Sequence, residues 1–456
     1  MERSKLRRAD GKSGVWVTAF WVWRMSVGVA VHDMYNIYNT VAEMQSDLKL
    51  TAIGTKVSTA GYYSAGDGGG ATYMIDDAIS SDSYTEYLAN GYYANMCVSG
   101  TVNVLQFGAI PNDPSKQDDN NRAFANAIKY APLHGSVLIP AKGTYYVSTV
   151  IKINRPILFA GDYTGCDPDA SVTDTANDVN ITTGEYGSPL IYTQASDFGI
   201  HIAVPGVVME NISIKAAVAS CYIVKILYDI KPVPKDSTDP LSYQNRNLII
   251  RNVVIQGIVD NKGVVSPAGI YAPGGLMTSV FERVVVYSCD FGFMVETSLP
   301  SKDVVNSTSL VFNQCCAKEC TITGYYLNNA DYSSFISCVA EADEAEMTYG
   351  YTIVRARNIS FIACRVRNAT THGIYCSRAR QVTINATMEN CYNGIRLEND
   401  SETKGSAVVK CCRFENITHY ALSLLNASAL VMMSNISSVD VNESSRTIDG
   451  TFANVT

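Results

Sequence analysis

Residues 335–375 read FISCVAEADEAEMTYGYTIVRARNISFIACRVRNATTHGIY. Phe335-Ile-Ser-Cys338 returns as Phe361-Ile-Ala-Cys364, and Gly350-Tyr-Thr-Ile returns as Gly373-Ile-Tyr. Outward from here the glycine-plus-apolar strand recurs at Gly269-Ile-Tyr, Gly292-Phe-Met, Gly324-Tyr-Tyr and Gly394-Ile-Arg-Leu, with Ala421-Leu-Ser-Leu in the next slot. The intervals are 23, 32, 26, 23, 21 and 27 residues. A period in the low twenties without helical patterning predicts one β-coil per repeat, with stacked coils sharing one continuous core. The leucine and asparagine pattern of a leucine-rich repeat is missing. The expected fold class is all-β: a right-handed parallel β-helix, with an N-terminal capping helix and a small N-terminal α+β segment.

Composition agrees. Of the 456 residues, 47% are hydrophobic and 17% charged, which excludes disorder. The net charge is −8, and no basic run follows residue 12, so nucleic acid is not an expected partner. No segment beyond the leader is apolar enough to span a membrane, so no insertion is expected. Ten of the 13 cysteines lie from Cys289 onward. Aligned on the glycines, Cys315, Cys364, Asn385 and Cys412 form one column nine residues before the slot, with Cys338 joining it. These read as core filling rather than metal ligands. No metal site is expected.

The chain divides into a leader at 1–24, a small segment at 25–100, the β-helix at 101–445 and a tail at 446–456. In the leader, Arg3, Lys5, Arg7, Arg8 and Lys12 precede an apolar run from Val15 to Trp23, as in an export signal. Arg24 interrupts it and no small-x-small site follows, so a start at Met25 is the alternative. Residues 33–48 have helical spacing. Val57, Tyr62, Tyr73 and Ile75 belong to short strands, and Gly66 to Gly70 form a tight turn between them.

Residues 103–161 supply the start of the helix. A strand ends at Gly108; Asp118, Asp119 and Asn120 offer N-caps. Ala123, Phe124, Ala127 and Ile128 form one apolar helix face, and Gly135 ends that helix. Strands follow at 136–140, 144–147 and 157–161. Phe107-Gly-Ala, Asp118-Asp119, Ala123 to Ala127 and Ile139-Pro-Ala-Lys-Gly-Thr-Tyr145 together resemble the opening of the pectate lyase superfamily. In that family a helix caps a right-handed β-helix. The preceding Gly61-Tyr-Tyr-Ser-Ala-Gly-Asp-Gly-Gly-Gly-Ala-Thr-Tyr73 is similar to a segment ahead of the β-helix in bacteriophage tailspikes. The resemblance implies a homotrimer, outside the cell or on a virion tail, that binds and cleaves bacterial surface polysaccharide.

Glycoside hydrolysis needs two carboxyl groups flanking the scissile bond. Carboxylates on neighbouring coils lie about 5 Å apart, which suits a retaining pair, and those two residues apart on one strand about 7 Å, which suits an inverting pair. The densest acidic cluster is Glu341, Asp343, Glu344 and Glu346. If the strand from Phe335 continues, Glu341 and Asp343 share its outward face, and crowding would leave one of them protonated. A solvated loop is the other reading. Lys318, Glu341, Arg367 and Glu415 fall in one column, with Met388 completing it. That is either a charge ladder or part of a site.

Arg365 and Arg367, with Arg378 and Arg396 nearby, could grip an acidic sugar, and in the lyase version of this fold an arginine can act as base. That version would admit Ca2+; the hydrolase version needs no cofactor. Asp290, His372-Gly373 and Arg396 resemble, in order, motifs of polygalacturonase-type hydrolases, although the paired aspartates are absent. Outward tyrosines, among them Tyr325, Tyr326, Tyr349, Tyr351 and Tyr375, could stack on sugars. Asn-x-Ser/Thr triplets, at Asn211, Asn358, Asn368, Asn385 and Asn416 among others, read as turn residues.

The expected catalytic set is therefore Glu341, Asp343, Glu344 and Asp290, and the expected substrate-binding set Arg365, Arg367, Tyr349, His372 and Arg396. A hydrolase is favoured over a lyase. A non-catalytic glycan-binding or structural β-helix of a virion or cell envelope is the alternative.

Overall fold

Along Ser334–Ile336 only Phe335 is fully buried, and along Val339–Glu341 the middle residue Ala340 is again inward. This alternation is the basis of the whole molecule: short strands turn one side chain in and leave its neighbours out. A computed structural model describes residues 36–162, 189–228, 245–297, 307–343, 345–400, 405–432, 434, 439–441 and 448–449. The leader at 1–24, a start at Met25 and most of the tail lie outside these residues.

The chain is a parallel β-helix. Among the described residues the coils build a 22-stranded sheet, to which a coil contributes one long strand or two or three short ones, and an 11-stranded sheet, to which it contributes one. One coil, for example, runs Ser334–Ile336 (first face), Val339–Glu341 (second face) and Tyr349–Val354 (third face). Each pairs in parallel with its counterpart in the next coil.

Identical slots stack. Phe281, Phe312, Phe335 and Phe361 form one inward pile with centroids 4.9–5.0 Å apart. Phe293, Tyr325 and Tyr351 form a second, 4.7–4.8 Å apart, and the two piles meet edge to face. The ring spacing equals the strand spacing, so one aromatic per coil fills the core without a gap.

Cys315, Cys338, Cys364 and Cys412 are buried free thiols. Burial pushes the Cys364 thiol up to about 12 and the Cys412 thiol to about 11. Ala386, not Asn385, is their register partner. The corner Asn390–Asn393 is one residue shorter than the corner Asn368–His372, which shifts a count made from the glycine slots. Asn368 and Asn416 hold positive φ, 62° and 52°, just past strand ends, and Asn211 and Asn358 hold φ 58° and 55° at bends within the strands Val208–Ala216 and Arg357–Arg367; asparagine tolerates this conformation. Asn385 lies within a strand.

Ahead of the coils, residues 36–96 form a five-stranded sheet with one short helix, Val41–Ser46. The helix expected over 33–48 is shorter, because Asn36–Tyr38 pairs as a strand and Thr40 caps the helix by accepting from the Glu43 N–H. Lys56–Thr59 and Thr72–Asp76 are strands as expected, but Tyr62 lies in the turn region. That region is organised by Asp67, whose carboxylate accepts from the N–H groups of Tyr62, Tyr63, Ser64 and Gly69. Gly66 has φ +83°, and a Cβ on Gly69 would sit 2.5 Å from the Leu105 carbonyl. The glycines thus let this turn lie against the start of the β-helix.

The stretch expected as a strand to Gly108 is a strand only over Thr101–Asn103. A capping box between Asn103 and Gln106 then winds Val104–Phe107 into a 3-10 turn. The capping helix, Gln117–Tyr130, buries Ala123, Phe124, Ala127 and Ile128. Its N-cap is Lys116. Asp118 and Asp119 lie in the first turn, where carboxylates favour the dipole. Asn120 is buried and bonds Ile110 and Tyr146 instead. The helix stops at Ala131, before Pro132, rather than at Gly135. Among the described residues no helix is long and apolar enough to cross a membrane.

Candidate functional site

The strand Val339–Glu341 turns Glu341 outward, directly between Lys318 and Arg367 of the neighbouring coils. Glu341 is only 9% exposed, and its Oε1 lies 2.7 Å from Lys318 Nζ. Burial works against the Lys318 charge, but the Glu341 carboxylate outweighs it and holds the ammonium pKa above its ordinary value. The ladder continues from Arg367 to Glu389 and then Glu415. Glu389 therefore occupies the slot expected for Met388, which is buried inward; the same short corner causes the offset.

The strand does not continue to Asp343. It ends at Glu341, and the next residues leave the sheet as a loop. Glu319, a corner residue with φ +50°, anchors that loop by accepting from the N–H groups of Asp343 and Ala345, both at 2.7 Å. Asp343 Oδ1 then meets Arg367 at 3.1 Å and Asn368 Nδ2 at 3.1 Å. Glu341 and Asp343 are thus brought to one corner, but each carboxylate faces a cation. The mutual crowding expected of them is not what the fold builds. Glu344 lies outside the described residues. Arg365 is turned to Glu389, at 2.6 Å, and its guanidinium holds that carboxyl below the usual range. Arg367 Nε is buried with no hydrogen-bond partner.

Around the corner, the third face carries the other expected residues. Tyr349 and His372 are register partners, with rings stacked at 5.9 Å. Tyr375 closes the group, 5.5 Å from Tyr349 and 5.7 Å from His372. Burial pushes the His372 imidazole down to about 4, so it is neutral near pH 7. Its Nε2 lies 3.4 Å from Asn393 Nδ2, and its Nδ1 is buried without a partner. Arg396, the register partner of Tyr375, bonds Glu398 at 3.1 Å. Asp290 stands apart, about 10 Å back along the axis by coil spacing. It is the second residue of the strand Cys289–Val295 and accepts a hydrogen bond from the Thr321 hydroxyl.

The aromatic group is the end of a longer series. Tyr271, Met294, Tyr326, Thr352, Tyr375 and Arg396 are successive outward partners. Tyr222 stacks on Tyr271 at 4.4 Å, and Phe291 meets Tyr326 at 5.7 Å. Tyr325 and Tyr351, by contrast, are fully buried in the core piles. Tyr271, Tyr222, Phe291, Glu319 and Glu389 were not singled out from the sequence. The signal for Tyr271 was present: it stands two residues after its glycine, as Tyr326 and Tyr375 do. Nothing in the sequence marks Glu319. Among the described residues, no group of three or more His, Cys, Asp or Glu side chains is arranged to hold a metal ion.

No family model and no curated protein matches this sequence. Solved structures do. The enzymatically active domain of tailspike protein 2 from bacteriophage CBA120 superposes with a TM-score of 0.60 at 13% identity, over 87% of this chain and 57% of that one. Full-length tailspike protein 2 from the same Escherichia coli O157:H7 phage gives 0.60 at 13%, over 89% and 52%. The tailspike of Acinetobacter phage vB_ApiP_P1 gives 0.53 at 11%, over 90% and 71%. This chain spans little more than half the length of the two tailspike 2 chains. The likeness is one of fold: this chain is a parallel β-helix protein built like these phage tailspikes.

Proposed function

We propose that this protein binds and cleaves a bacterial surface polysaccharide, as a glycoside hydrolase. The observation that carries the reading is an outward series on the third face, with Tyr271, Tyr326 and Tyr375, one corner of the coil away from the carboxylates Glu341 and Asp343. Sugar rings stack on aromatic faces, so a glycan lying along this face would run beside that corner. There Glu341 and Asp343 serve as the carboxyl pair. Substrate that displaces Lys318 or Arg367 frees one carboxyl to carry the proton of a general acid, while the other stays ionised. Arg365, Arg367, His372 and Arg396 hold the chain, and no cofactor enters. Glu344 and Asp290 stand as lesser candidates for the catalytic set. Kinship to the pectate lyase superfamily, a virion-tail or extracellular site and a homotrimeric state belong to the same proposal.

Two observations favour other readings. Arg367 Nε, buried without a partner, suits β-elimination by an arginine base, the version that would admit Ca2+. The ion pairs on Glu341 and Asp343 suit a ladder that only binds glycan. A cleavage screen separates all three. Protein starting at Met25 is incubated with bacterial capsules, O-antigens and pectins, and read by reducing ends and by absorbance of unsaturated uronates. Reducing ends alone support hydrolysis. Both signals establish a lyase. Binding without either signal refutes catalysis.

A further inference from the structure

His372 has one ring nitrogen that the chain answers and one that it does not. The answer comes from Asn393, its register partner on the next coil, which is 7% exposed. Asn393 Oδ1 lies 3.2 Å from the Tyr420 backbone nitrogen and 3.2 Å from His419 Nδ1. Asn393 Nδ2 lies 2.9 Å from the Thr371 carbonyl oxygen and 3.4 Å from His372 Nε2. The backbone groups decide which end of the amide is which. Tyr420 brings an N–H that only the oxygen can accept, and Thr371 brings a carbonyl that only the NH2 can meet. Reversing the amide would oppose donor to donor and acceptor to acceptor.

His372 Nε2 therefore faces a donor. The imidazole is neutral near pH 7, because burial and then the charge of Arg396 oppose its protonation against the pull of Glu398. A neutral imidazole donates from one nitrogen and accepts at the other. With Nε2 accepting, the proton sits on Nδ1, which is buried without a partner. A buried N–H without an acceptor costs stability and calls for a reason. The corner supplies none. The same slot holds Thr323, Tyr349 and His372 in the preceding coils, and the bond from the Asn393 N–H to the Thr371 carbonyl forms through backbone alone.

We infer that Asn393 is a positioning residue that fixes the His372 proton on Nδ1, and that this N–H is the donor for a carbonyl-type oxygen of the bound glycan, on an acetamido or a uronate group. The inference rests on the proposed glycan binding and names the part of the sugar that is read. Tyr349 and Tyr375 flank the ring at 5.9 and 5.7 Å. A hydroxyl would bring its own proton to a place where Nδ1 offers a donor and no acceptor. A carbonyl-type oxygen brings only lone pairs. The sugar reaches Nδ1 when Tyr375 turns aside, and the bond from its phenol to Glu398 is weak at 3.4 Å.

Protein labelled with nitrogen-15 histidine would be measured by NMR, with the His372 signals assigned by their loss in His372→Asn and each variant checked by thermal melting. Expected are a pyrrole-type shift at Nδ1 and a pyridine-type shift at Nε2. Asn393→Asp puts an acceptor where the donor was and should bring a proton onto Nε2. An unmoved spectrum in this folded variant removes the role of Asn393. Binding is read by isothermal titration with a capsular or O-antigen fragment that the unmodified protein binds. In His372→Asn the amide nitrogen takes the place of Nδ1, and affinity should stay within a few-fold. In His372→Gln it takes the place of Nε2, and affinity should fall by roughly tenfold. Equal losses overturn the donor role. The N-deacetylated and carboxyl-reduced forms of the same fragment identify the group. One of them should bind the unmodified protein roughly tenfold more weakly, with no further loss in His372→Gln. Indifference to both treatments overturns the carbonyl-type acceptor. A proton on Nε2 in a protein that binds glycan sinks this inference alone. Absence of glycan binding sinks the proposed function, and the donor role with it, whatever the spectrum shows.

Discussion

Lys318 and Glu341 are register partners on adjacent coils, with Nζ 2.7 Å from Oε1. The pair lies at the edge of the second face, where Glu341 is almost closed off from water. A carboxylate in that position needs its cation. In Lys318→Met the carboxylate keeps its burial and loses its counter-charge, which should destabilise the fold. Thermal melting of the variant at pH 7 should show a lower midpoint than the unmodified protein. An unchanged midpoint would show that the pair adds nothing to stability.

The aromatic piles should dominate stability. Phe335 stacks between Phe312 and Phe361 and meets Tyr325 and Tyr351 edge-on. Phe335→Ala leaves a cavity that rigid coils above and below cannot close. The expected cost is about 3–5 kcal/mol in a denaturant titration with unchanged slope. A cost below about 1 kcal/mol would mean that the piles slide to fill the gap.

Tyr326 and Tyr375 face outward on the third face, and their removal should leave the fold intact. Tyr326→Ala and Tyr375→Ala are each expected to weaken glycan binding by roughly tenfold, or about 1.4 kcal/mol. Isothermal titration against a bound oligosaccharide reads this directly. Undiminished affinity in both variants would remove the third face from the binding site.

Glu86 gives a pH-dependent term in the N-terminal segment. It is buried beneath Gln45 Nε2 at 2.7 Å and Tyr62 Oη at 3.4 Å, and burial raises its pKa above the ordinary carboxylate range. A carboxyl raised in the folded state contributes stability that is full below its unfolded value, about 4.3, and is lost as pH rises through its folded value. The unmodified protein should therefore lose stability relative to Glu86→Gln as pH rises from 4 toward 7. Parallel melting curves across that range would contradict the assignment.

The coil repeat was legible because each unit carries the same glycine, aromatic and cysteine slots. The capping helix was legible from its apolar face. Side-chain direction was harder. Tyr325 and Tyr326 are adjacent and chemically identical, yet one fills the core and the other faces solvent; only the glycine-relative position distinguishes them. Glu389 was hidden because the corner that follows it is one residue short, so a count back from Gly394 lands on Met388 instead. Asp343 was misplaced because Glu319, on the coil before, captures the N–H groups that would otherwise extend the strand. Such inter-coil hydrogen bonds leave no local sequence signal.

The most direct test of the central claim is cleavage by Glu341→Gln and Asp343→Asn on the polysaccharide that the unmodified protein binds. Binding and melting temperature are measured alongside reducing-end release. The account predicts that each variant stays folded, keeps its affinity within a few-fold and loses cleavage. Full cleavage by both variants would contradict it and move the chemistry away from this corner.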